Sequence, residues 1–158
     1  MKTTRYLVSV CIAITSLAGF SSCDKENDGD TTPPIIELID PKEGSVLTFD
    51  GEHGIHFEMK LSDNDMLASY KVEIHSNFNN HSHDLRTVAT EAFFYNKTWD
   101  VSGLRNTSIH HHEIVVPLST TPGKYHLLVH CTDVSGNQSN IARNIELVPV
   151  GGAIEHEE

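Results

Sequence analysis

From Ile35 onward the chain alternates apolar and polar residues in short runs, and breaks them with turn residues. In Ile55-His-Phe-Glu-Met-Lys-Leu61, Ile55, Phe57, Met59 and Leu61 share one parity; His56, Glu58 and Lys60 share the other. A period of two is that of a half-buried β-strand. Ser69 to His75 repeats it, with Tyr70, Val72 and Ile74 inward. Lys124 to Thr132 does so again, with Tyr125, Leu127, Val129 and Cys131 on one face and His126, Leu128, His130 and Thr132 on the other. Ile35–Ile39, Ile109–Leu118 and Ile141–Val148 complete the clear strands, and Val88 to Trp99 supplies one or two irregular ones. Between them stand Asp40-Pro41, Lys42-Glu-Gly44, Ser62-Asp-Asn-Asp65, Thr121-Pro-Gly123 and Asp133-Val-Ser-Gly-Asn137, each a set of turn formers. Asn77 to Arg86 is polar and reads as a loop. No segment holds a long 3.6-residue apolar period. The pattern predicts an all-β immunoglobulin-like sandwich of about seven strands over residues 35–150, with a frayed tail at 151–158.

The residues before Ile35 follow a different logic. Lys2 and Arg5 precede a mostly apolar stretch from Tyr6 to Phe20, too short to span a bilayer, which takes about 20 residues. Small residues then lead to Cys23. This predicts a lipoprotein signal peptide over 1–22, with cleavage before Cys23 and lipid on its sulfur. Phe20 stands where such boxes usually carry Leu. Residues 23–34 are polar and acidic, and predict a flexible tether free of contacts. An acidic run just after the lipidated cysteine resembles the surface-export signal of some Gram-negative lipoproteins. The expected location is therefore the outer membrane, at its cell-surface leaflet, with a periplasm-facing anchor as the alternative.

Charge narrows the partners. The chain carries 11 basic and 22 acidic residues. The leader removes Lys2 and Arg5, so 9 face 22 and the mature chain stands at −13. Nucleic acid needs a basic footprint and is excluded on this ground. Cys11 leaves with the leader and Cys23 is lipidated, so Cys131 remains alone and no intrachain disulfide forms.

Histidine is the anomaly. All 11 fall beyond the leader, outnumbering lysine and arginine there. Neutral imidazole ligates Zn(II) and Cu(II) when three or four donors converge. If the third strand lies antiparallel to the penultimate one, His75 and His126 meet at one end of the sandwich. The loop bearing His81 and His83 leaves from that end, and His53 is expected near it. His110 and His112 share a face by the two-residue period, and His112 joins the group if its strand lies at the neighbouring edge. The expected metal ligands are thus His75, His81, His83, His126 and His112, for Zn or Cu. Scattered surface imidazoles and a pH switch near pH 6.5 are the competing uses. Asp63, Asp65 and Asp133 fall in facing loops at the opposite end and form a calcium candidate, although aspartates also populate turns for backbone reasons.

Other chemistry is thin. Cys131 has inward parity and reads as an inert core thiol. Gly-x-Ser-x-Gly, a phosphate loop and His-Glu-x-x-His are absent from the sequence, so no enzyme is expected. Phe93, Phe94, Tyr95 and Trp99 are either core or an exposed platform for a glycan or protein partner.

Some stretches carry a resemblance. Pro122 to Asn137, with Gly-x-Tyr and Asp-x-x-Gly-Asn, looks like the penultimate strand and turn of bacterial immunoglobulin-like domains. Together with Glu73-Ile-His75-x-Asn77-Phe78, His81-x-His83, His112 and Gly123-x-Tyr125-His126, the chain resembles a family of immunoglobulin-like bacterial lipoproteins with no assigned activity. The resemblance implies a fold and a location. The expected function is a membrane-anchored binding module that captures a transition metal and passes it to an outer-membrane uptake receptor. The alternative is a surface interaction or glycan-binding lipoprotein.

Overall fold

A computed structural model of the protein describes residues 29–77 and 90–152. Within them lie eight strands and no helix. The strands are β1 (Ile35–Asp40), β2 (Ser45–Phe49), β3 (Gly54–Ser62), β4 (Leu67–Ser76), β5 (Tyr95–Asp100), β6 (Asn106–Val115), β7 (Gly123–Asp133) and β8 (Gln138–Pro149). They form two sheets, ordered β1-β3-β6 and β2-β8-β7-β4-β5. All the pairings between these strands are antiparallel except β2 with β8. The expected signal peptide, His81 and His83 of the expected loop, and the residues beyond Gly152 lie outside the described residues.

The alternation places the core. Ile55, Phe57, Met59 and Leu61 of β3 are buried, and so are Tyr70, Val72 and Ile74 of β4 and Tyr125, Leu127, Val129 and Cys131 of β7. Each set is the apolar parity of its strand. The two sheets close on one cluster, which Phe49, Phe93, Ile114, Val116, Ile145 and Leu147 complete. Tyr125 is fully buried. Its hydroxyl donates to the Thr121 carbonyl at 2.6 Å and accepts the Phe93 N–H at 3.2 Å. A tyrosine near the start of the penultimate strand, bonded back to the chain upstream, is the tyrosine corner of immunoglobulin-like sandwiches. The two facing sheets make the fold a β-sandwich, and the Tyr125 bond resembles that corner.

Three local features depart from the expected strands. Ser45–Phe49 is an extra strand, pairing parallel to β8 through Ser45 with Ile145 and Phe49 with Pro149. β6 runs from Asn106 to Val115 rather than from Ile109 to Leu118, because it extends to meet Ser62 and ends at the Pro117 turn. The chain also makes contacts before Pro34: side-chain amides of Asn64 and Asn137 donate to Oδ1 and to the carbonyl of Asp30, each at 2.9 Å.

Candidate metal centres

β3 and β6 pair antiparallel, with Glu58 opposite His110 and Phe57 opposite His111. The register then slips, since Ile55 faces Ile114. One residue of β3, His56, therefore faces two of β6, His112 and Glu113. That is a β-bulge. It brings His56 against both His110 and His112 on the outer face of the three-stranded sheet. The rings of His56 and His110 lie 4.9 Å apart, those of His56 and His112 5.1 Å, and those of His110 and His112 5.6 Å. One nitrogen from each lies within 4.8 Å of the other two. Around a tetrahedral zinc, nitrogens ~2.0–2.1 Å from the metal stand roughly 3.4 Å apart. Exposed imidazoles cover that remaining ångström by side-chain rotation alone.

Gly54 makes the pairing possible. A β-carbon there would sit 1.7 Å from the carbonyl oxygen of His112. The backbones of β3 and β6 thus approach at the bulge more closely than any side chain allows. A groove of about 380 Å³ opens beside the triad, lined in part by Val46, Asp50, His53, His56, His112 and Val150. His53 Nδ1 lies 2.5 Å from Asp50 Oδ2, which pulls the imidazole pKa upward and orients the ring. Such a carboxylate–imidazole pair is the usual outer support of a ligating histidine.

The histidines expected to converge divide between the two sheets. His75 and His126 are direct partners in the β4–β7 register, with rings 5.5 Å apart, and Glu73 Oε1 lies 3.3 Å from His75 Nδ1. His81 and His83 lie outside the described residues. His112 does not join this pair. β6 is the edge of the other sheet, and the outer faces of a sandwich point in opposite directions. The histidines brought together are His56, His110 and His112, two of which were not in the expected set. Asp63 and Asp133 do meet at the opposite end, but Asp65 faces Arg105 at 3.7 Å and Asp30 takes its place.

Ahead of the bulge, regular alternation turns His111 inward, opposite Phe57. Its ring stacks between Phe57, at 5.0 Å, and Trp99 of the opposite sheet, at 5.1 Å. Trp99 stacks in turn on Tyr70 at 4.8 Å. Glu113 reaches across to β5, where it accepts the indole N–H of Trp99 at 3.2 Å and pairs with Lys97. Of the four aromatics in this region, Phe93, Tyr95 and Trp99 pack on the core and Phe94 alone is exposed. Cys131 is fully buried, and burial pushes its thiol up to about 11, so it is no nucleophile at neutral pH.

His111 Nε2 is buried and meets no hydrogen-bond partner among the described residues, and burial lowers the imidazole pKa below its ordinary value of 6.5. The sign of the linkage follows. The unfolded chain takes up the proton first, so the contribution of neutral His111 is complete above pH 6.5 and lost as pH falls toward its lower folded value. Trp99 is the only tryptophan. Its fluorescence should drop in a single step with a midpoint below pH 6.5, as imidazolium forms against the ring. His111→Phe should abolish the step; a step unchanged in that variant would assign it to another group.

Residues 21–148 match a family model described as Domain of unknown function (DUF4625). None of the curated proteins matches the chain.

Proposed function

The chain belongs to the DUF4625 family, a domain of unknown function, and from that premise we propose that it is a non-catalytic binding module of the cell envelope that captures a divalent transition metal on His56, His110 and His112. Zinc is the first choice and copper the second. The observation that carries the reading is the preformed triad: two imidazoles at i and i+2 on β6 and a third across the bulge on β3. Two features make capture a better use of the triad than a structural site. Three donors leave a coordination position open, whereas structural zinc sites close all four. All three imidazoles are exposed, so a metal held there is open to exchange.

The mature chain's charge of −13 draws cations toward the surface. In this reading lipid on Cys23 holds the module to the outer membrane, at the cell surface, and an uptake receptor takes the metal from it. Calorimetric titration of the chelator-treated full chain with zinc tests the first step. One zinc per chain at micromolar affinity or tighter is expected. Heat of dilution alone would end the proposal.

A further inference from the structure

Donors of a different kind converge at the other end of the sandwich. Asp63 follows β3, Asp133 ends β7, and Asp30 precedes β1. One carboxylate oxygen of each lies within 4.8 Å of the other two. The triad is seven residues back along β3 from Asp63, roughly 20 Å away at ~3.3 Å per residue. This is therefore a separate place on the molecule.

Aspartates gather in turns for backbone reasons, so proximity alone decides nothing. The independent observation is a pair of orphaned atoms. Asp30 Oδ2 and Asp63 Oδ2 are both closed to solvent, and neither meets a hydrogen-bond donor among the described residues. Their other oxygens are occupied: Asp30 Oδ1 by Asn64 and the Thr32 N–H, Asp63 Oδ1 by the Asp65 N–H, each at 2.9 Å. Asp133 is 2 % exposed, with both oxygens oriented by Asn137 at 2.8 and 2.7 Å. Among the described residues no lysine or arginine pairs with any of the three, because Arg105 goes to Asp65. Asp30 and Asp63 are half-buried and Asp133 is buried, and like charge gathered at such a place is costly unless a counter-ion joins it.

We propose that Asp30, Asp63 and Asp133 bind a calcium ion. Carboxylate oxygens without nitrogen or sulfur suit a hard cation. Calcium fits better than magnesium, which keeps several waters and demands near-ideal octahedral geometry. The ion would join the segment before β1 to the β3–β4 and β7–β8 turns. Asp30 is seven residues after Cys23, so the ion would fix which end of the sandwich stands next to the membrane anchor. The imidazole triad would then face away from it.

The test uses the purified full chain after chelator treatment, titrated with calcium chloride by calorimetry and melted with and without excess calcium. One calcium per chain and a rise of about 5 °C or more in the melting midpoint are expected. Asp63→Asn should weaken calcium binding at least about tenfold while zinc binding stays as in the parent, which separates this site from the triad. Asp30→Asn lies outside every strand, so it should weaken calcium binding without lowering the calcium-free midpoint. Equal midpoints in calcium and in chelator, or parental calcium affinity in Asp30→Asn, would overturn the proposal.

Discussion

Gly54→Ala should destabilise the protein by about 4 kcal/mol or more, which puts it among the rare severe single substitutions. The reason is a contact and not a backbone preference. Gly54 does not occupy the left-handed region, so alanine has no conformational objection to the site. What it meets is the His112 carbonyl at 1.7 Å, with the carbonyl carbon at 2.5 Å and the Ile114 nitrogen at 3.2 Å. All three are backbone atoms, and none rotates away. The first pairs of the β3–β6 ladder must open, taking the bulge with them. Gly103→Ala is the informative control. Gly103 has φ of +80° but nothing within 4 Å of an added β-carbon, so its cost is limited to the left-handed strain of about 1–2 kcal/mol. Urea unfolding of the two variants should rank Gly54 far above Gly103. Equal midpoints would mean that β3 and β6 do not pair at Gly54 as described.

The bulge is also where sequence and structure part company. Alternation is uninterrupted from Ile55 to Leu61, from Tyr70 to Ile74 and from Tyr125 to Cys131, and every residue of inward parity in those runs is buried. There the two-residue period is sufficient, because burial of one face is the only constraint. Along β6 it is not. His111 and Ile114 both turn inward although they are three residues apart, which a regular strand forbids. Only the irregular register permits it, and the register depends on the partner strand. The shared face of His110 and His112 was therefore legible, while their third partner was not. His56 follows from β3 lying between β1 and β6, a choice of neighbour that local sequence does not encode.

Much the same holds for Asp30 and for β2. Polarity from residue 24 onward predicts a chain without contacts, and it says nothing of two asparagines, Asn64 and Asn137, waiting on distant turns. Ser45–Phe49 is short and directly follows a turn, and what makes it a strand is the open edge of β8. In each case the missing information is long-range. The antiparallel approach of His75 and His126 was read correctly as a pair, yet two imidazoles and a glutamate fall short of a site unless the His81–His83 loop completes it.

That leaves two histidine clusters on opposite faces, and they make opposite predictions. If the triad is the zinc site, His110→Ala together with His112→Ala should lower zinc affinity by at least about 100-fold, since losing ligands costs more than losing their outer supports. His75→Ala with His126→Ala should change it by less than about threefold. His111→Phe should leave it intact too, because His111 faces the core and its neighbours keep their parity. That third variant excludes an unspecific effect of removing histidine from β6. Affinity should also weaken as the solution is acidified, because a metal displaces the proton from each imidazole it binds. The reverse ranking, with the His75/His126 variant blind to zinc and the His110/His112 variant unaffected, would move the site to the β4–β7 face. Either ranking is readable by competition with a coloured zinc chelator, and both double variants lie on solvent-facing parity, where the loss of a side chain leaves no cavity in the core.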